Sequence, residues 1–177
     1  IGFHPTSVEG PGAIYKVKEM KKRLVEGHPY IAIGEVGLDL YWDKTWLKEQ
    51  HQILDEQIQW ASEWKLPLVI HCREAFPELF QVLEPYKHTE LTGVFHSFTG
   101  TVDEARELMD YSWFMIGING VVTFKKSTLP EVLQEVPLTK LVLETDSPYL
   151  APVPFRGKRN ETSYVKRVAM KLAELYG

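Results

Sequence analysis

Short apolar runs alternate with longer amphipathic stretches along this 177-residue chain. The runs YIAIGE, LPLVIH, TGVFH, WFMIGING and KLVLETD are rich in β-branched and aromatic residues, as strands buried on both faces are. Between them the spacing predicts helices over residues 13–26, 46–64, 74–83, 129–136 and 163–176. A further helix starts at Thr101 or Asp103 as cap and runs to Met109. In the second of these, Leu47, Ile53, Leu54, Ile58 and Ala61 recur near a 3.6-residue period, the mark of an amphipathic helix. Pro29, Pro67 and Pro85 stand where one element gives way to the next. Strand and helix alternate to the end, which implies right-handed crossovers and a parallel sheet. Ile1, Gly2 and Phe3 have the pattern of a strand's tail.

The strand ends carry the chemistry. Glu35 closes YIAIGE, His71 closes LPLVIH, His96 closes TGVFH and Asp146 lies at the end of KLVLETD. Side chains at the carboxyl ends of successive parallel strands converge on one face of an α/β barrel, where such barrels do their chemistry. Imidazole and carboxylate together suit a divalent metal used for hydrolysis. A single histidine at a strand end is more often structural, so the weight rests on four such positions in register. His28, His51 and His88 fall in charged or helical stretches and are expected at the surface. Asp39 and Asp43 are expected to cap or solvate a loop, with Asp39 a candidate to support the site from behind. Tyr41, Trp42 and Phe98 suit base stacking and loop or core packing equally. Cys72 has no partner cysteine and is expected to pack.

Composition narrows the class. With 44% hydrophobic and 25% charged residues the chain is an ordinary globular one. No apolar run approaches a membrane span. The single cysteine excludes an internal disulfide and fits a reducing cytosol. A formal net charge of −4 argues against bulk attraction to nucleic acid, though bound metal ions add local positive charge. Arg73 directly follows a ligand-bearing strand end, and Arg156-Gly157-Lys158-Arg159-Asn160 follows the Asp146 strand. Both groups suit phosphate, because guanidinium forks bind it bidentately.

The segments GFHP, AIGEVGLDLYWD, PLVIHCREA, GVFHSFTG and LVLETDSPYLAPVPFRGKRNE, in this order and spacing, resemble the TatD family of metal-dependent deoxyribonucleases. The resemblance covers nearly the whole chain. It implies an α/β fold, a TIM-type (β/α)8 barrel of the metal-dependent hydrolase class, with residues 1–177 as one partial domain. A complete barrel takes about 250 residues, so the expectation is that its first two strands are missing from this chain. It implies two divalent ions, Mg, Mn or Zn. Glu35 would bridge them, His71 and His96 would bind one, and Asp146 would bind the other and help deprotonate the attacking water. Glu35 and Asp146 are thus the implied catalytic residues. His4, Arg73, Arg156, Arg159 and Asn160 would face the substrate. The family's first strand carries a His-x-His pair, which this sequence lacks.

The expected activity is hydrolysis of DNA phosphodiesters, trimming single strands or strand ends through a metal-activated water, in the cytoplasm and without a membrane. One alternative is a small-molecule amide, lactone or phosphoester hydrolase of the same barrel class. The other is an inactive fragment that lacks the His-x-His ligands.

Overall fold

A computed structural model describes all residues, 1–177, and the chain is α/β with five parallel strands in the order β1-β2-β3-β4-β5. The strands are β1 Ile33–Asp39, β2 Leu68–Arg73, β3 Gly93–His96, β4 Phe114–Ile118 and β5 Leu141–Leu143. Six helices accompany them: α1 Ala13–Lys21, α2 Leu47–Trp64, α3 Phe76–Leu83, α4 Val102–Leu108, α5 Leu129–Val132 and α6 Val165–Tyr176. The chain falls into two compact units, Ile1–Val94 and Phe95–Gly177.

In the first unit, Ile33, Val36, Leu38, Leu68 and Ile70 are buried along β1 and β2. Ile53, Leu54, Ile58 and Ala61 of α2 are buried too, as the 3.6-residue spacing predicts. Two glutamines share that buried face. Gln50 and Gln57, seven residues apart, are 4% and 0% exposed. A buried amide must find partners, and each of these finds main chain.

Strand β1 differs from its sequence-based reading. The predicted strand closes at Glu35, whereas the observed one continues to Asp39. Gly34 aligns with Val69 and Val36 with Ile70, so Glu35 is the extra residue of a bulge. Bulges re-aim a side chain, and this one sits at a candidate ligand. Ile1–Phe3 form no regular strand, but the Gly34 N–H donates to the Ile1 carbonyl at 2.9 Å. Gly2 permits that approach, since a β-carbon there would lie 2.5 Å from the Gly34 carbonyl carbon.

In the second unit, Phe95, Tyr111 and Phe114 form a buried aromatic cluster, with Phe95 and Phe114 centroids 5.1 Å apart. Thr101, not Asp103, caps α4. Its hydroxyl accepts from the Glu104 N–H while the Glu104 carboxylate accepts from the Thr101 N–H, a reciprocal capping box. The helix expected over residues 129–136 tightens into a 3-10 turn at Leu133–Glu135 after a single α turn. Strand β5 is only three residues long, so Asp146 lies beyond its end.

Candidate metal centre

In the first unit the acid–imidazole cluster forms on two adjacent strands. His71 of β2 aligns with Gly37 of β1, which puts Glu35 and Asp39 on either side of it. The His71 ring bridges them, with Nδ1 3.1 Å from Glu35 Oε1 and Nε2 2.8 Å from Asp39 Oδ2. Gly37 is required for this approach. Its φ is +140°, and a β-carbon would meet the His71 carbonyl oxygen at 1.8 Å.

His4 joins from the chain's start. Its Nε2 is 3.6 Å from Glu35 Oε1, and its ring meets the His71 ring edge-on at 4.6 Å. Its Nδ1 accepts from the Thr6 N–H at 3.2 Å, which aims Nε2 at Glu35. Donor atoms of His4, Glu35 and His71 all lie within 4.8 Å of one another. Two imidazoles and a carboxylate at that spacing could hold a divalent cation.

Helix α2 holds this cluster in place. Gln50 Oε1 accepts from the Asp39 N–H at 2.9 Å, and its Nε2 donates to the Asp39 carbonyl at 3.1 Å. Gln57 does the same for Phe3, accepting at 2.6 Å and donating at 3.3 Å. One helix face therefore fixes both Asp39 and the residue before His4. The Asp39 side chain is 3% exposed, and its Oδ1 also accepts from the Tyr41 N–H. Burial pushes the His71 pKa down, but hydrogen bonds to Glu35 and Asp39, and their charges, outweigh it. The value lies above that of an ordinary imidazole.

In the second unit His96 is also held between two carboxylates. Its Nδ1 lies 2.5 Å from Glu144 Oε2, and its Nε2 lies 3.3 Å from Asp146 Oδ1. Glu144 Oε1 accepts from the Ser97 N–H as well. Glu144 follows β5 while His96 ends β3, with β4 between them. Adjacent strands lie about 4.8 Å apart, so this carboxylate spans two strand intervals. It passes Gly117 of β4, where a β-carbon would lie only 2.9–3.0 Å from the carboxylate. Buried Asn119 donates to Ser97 Oγ at 2.7 Å, which braces the turn after His96. The Tyr149 N–H donates to the Asp146 carbonyl at 2.7 Å and pins that residue's backbone.

The remaining expected residues fall in several settings. Arg73 is exposed and stacks on Tyr41, its guanidinium carbon 3.6 Å from the ring centroid. Arg156 lies 3.8 Å over Phe124, and Arg159 is exposed. Asn160 is 2% exposed and donates to the Tyr149 carbonyl at 2.6 Å, so its amide ties the loop together. Phe98 is buried and packs. His28 is half-buried, edge-on to Trp64. His51 is also half-buried, with Nε2 sealed from solvent. Only His88 of these three is exposed. The clamps at Gln50 and Gln57 escape sequence reading, although two polar residues at i and i+7 inside an apolar stripe were a visible signal.

The sequence pattern of the family described as TatD related DNase matches residues 1–177. The chain is 42% identical over 179 residues to the uncharacterized metal-dependent hydrolase YabD of Bacillus subtilis, covering 99% of this chain and 68% of that protein. It is 37% identical over 177 residues to the uncharacterized metal-dependent hydrolase YcfH of Escherichia coli K12, covering 99% and 65%. The crystal structure of YjjV, a TatD homolog from Escherichia coli K12, superposes with a TM-score of 0.85 at 30% identity, covering 99% of this chain and 67% of that one. The chain thus spans about two thirds of the length of the relatives it matches.

Proposed function

The chain belongs to the TatD-related DNase family, and on that premise we propose that it serves metal-dependent hydrolysis of DNA phosphodiesters, trimming single strands or strand ends. The family's kinship with metal-dependent hydrolases supports the reaction class. The observation that carries the reading is the gathering of His4, Glu35 and His71 donor atoms within 4.8 Å. In this reading Glu35 and His71, with His4, would hold one divalent cation in the first unit, and His96 with Asp146 would offer ligand atoms in the second. Such ions, when bound, neutralise charge on phosphate oxygens and acidify a water.

The chain's own groups do the rest. In this reading Asp146, whose half-exposed carboxylate lies 3.3 Å from His96 Nε2, takes the proton of the attacking water. The water oxygen bonds to phosphorus as the bond to the leaving sugar oxygen breaks, and solvent protonates that oxygen. Arg73, and separately Arg156 and Arg159, would bind non-bridging oxygens through charge-assisted hydrogen bonds. Asn160 holds the loop that carries the last two. These contacts position a strand without reading its sequence.

The test is degradation of single-stranded DNA with and without EDTA. EDTA-sensitive cleavage, restored by Mg, Mn or Zn, is the expected result. Turnover of a small phosphoester or lactone with DNA left intact would replace this reading with the small-molecule hydrolase.

A further inference from the structure

Directly after Asp39 the chain sets two large aromatic side chains in solvent. Tyr41 is 46% exposed and Trp42 is 73% exposed. Leaving an indole in water forgoes one of the largest burial gains available to a side chain. The loop that holds it is braced on both sides. The Tyr41 N–H donates to Asp39 Oδ1 at 3.0 Å, and the Thr45 N–H donates to Asp43 Oδ1 at 2.7 Å. The Tyr41 and Trp42 rings meet edge to face, centroids 4.7 Å apart at 89°. Arg73 completes the cluster, 3.6 Å over Tyr41 and 5.6 Å from the Trp42 ring.

A cavity of about 150 Å³ opens beside Trp42, with Trp46, Pro5, Thr6, Asp39 and Asp43 among its walls. It has room for a planar ring against an indole. It shares Asp39 with the candidate metal centre, where that carboxylate holds His71 at 2.8 Å. Charge divides the region in two. Asp39, Asp43 and Glu9 line the cavity and repel a phosphate. Arg73 stands at the end of the strand that bears His71 and attracts one. A ligand with a flat uncharged ring beside an anionic diester matches that division.

We propose that Trp42, with Tyr41 and Arg73, forms a stacking platform for one nucleobase of a single strand, beside the phosphate being cleaved. This inference rests on the proposed nuclease function and adds to it. A duplex keeps its bases stacked on one another, so the platform selects single strands and frayed ends. Stacking on aromatic faces is tolerant of base identity, consistent with trimming that does not depend on sequence.

The test is binding of a labelled single strand, and of the same strand carrying abasic sugars, to the full chain in EDTA. Cleavage of both strands with metal added is measured in parallel. One stacked base is worth roughly 5- to 150-fold in affinity, so the wild type should prefer the base-bearing strand by that factor. Trp42→Ala should remove most of the preference, while Trp42→Phe should keep most of it. Trp42→Leu keeps apolar bulk without a π face, and it should behave as the alanine variant even if the latter folds poorly. A folded Trp42→Leu that retains the full preference, in a wild type that cleaves DNA, overturns the platform and leaves the nuclease reading standing. A wild type that neither binds nor cleaves either strand overturns both.

Discussion

His71 and His96 are each held between two carboxylates, but the two units achieve this differently. Around His71 both acids come from the neighbouring strand, at positions 35 and 39 on either side of Gly37. Around His96 both come from one short segment after β5, and Glu144 reaches its target past an intervening strand. In each case one imidazole nitrogen is occupied by an acid braced by other groups, Asp39 or Glu144. The other faces a more exposed acid, Glu35 or Asp146, with 35% and 36% side-chain exposure. In the proposed metal reading the braced acid would fix ring orientation and tautomer, and the opposite nitrogen would be the one to meet a cation. The nitrogen is Nδ1 in His71 and Nε2 in His96. Nearest-neighbour geometry needs a glycine that tolerates φ > 0, while the longer reach needs a glycine that clears a path.

The largest expected effect comes from removing either exposed acid. Glu35→Gln and Asp146→Asn should each reduce EDTA-sensitive DNA cleavage by about 10²- to 10⁴-fold, with circular dichroism unchanged. An Asp146→Asn chain with full activity would remove that residue from the mechanism.

The two glycines should separate next. Gly37→Ala forces a strained φ and a clash with the His71 carbonyl, so it should lower thermal stability by about 1–3 kcal/mol from strain alone. Gly117→Ala meets only the end of a side chain, so it should lower Tm less than Gly37→Ala does while pushing Glu144 off His96. Its expected readout is weaker metal binding by calorimetry. Equal losses of Tm in the two variants would contradict the difference between the clusters.

Asp39→Asn and Glu144→Gln should each weaken divalent-ion binding about 10- to 100-fold. Gln50 grips the Asp39 main chain and not its carboxylate, so Asp39→Asn should keep the fold while lowering the melting point through the weakened His71 pair. If only one variant changes ion affinity, only that unit's histidine is a ligand.

The smallest effects are those of pH. The His71 pKa is raised, and a ligand imidazole must be neutral, so ion affinity should begin to fall with acid above the ordinary value near 6.5. In EDTA the charged His71 contributes stability in full below that ordinary value, and the contribution is lost as pH rises through its folded-state pKa. His51 has the opposite sign. Burial lowers its pKa, with the charge of Glu78 opposing, so its contribution is present above about 6.5 and lost as pH falls through the folded-state value. Melting curves of His71→Asn and His51→Gln against pH should lose the alkaline and the acid slope respectively.

No helix of the structure is long and apolar enough to cross a membrane, in line with the hydropathy of the sequence. The residue types and their order along the chain determined much of the rest. Apolar runs fix parallel strands, the 3.6-residue stripe fixes α2, and an acid or imidazole recurs within or just past a strand, although Glu35 and His71 lie inside β1 and β2 and not at their ends. These are local properties, set by side-chain periodicity and by which groups tolerate burial. Tertiary structure alone decided the pairings. Register placed Gly37 opposite His71, and a bulge turned Glu35 toward it. The buried face of α2 enlisted Gln50 and Gln57 as backbone clamps. The gap at Gly117 let Glu144 reach His96 across a strand. Each of these depends on two segments distant in sequence meeting at a given distance, and no local pattern encodes that distance.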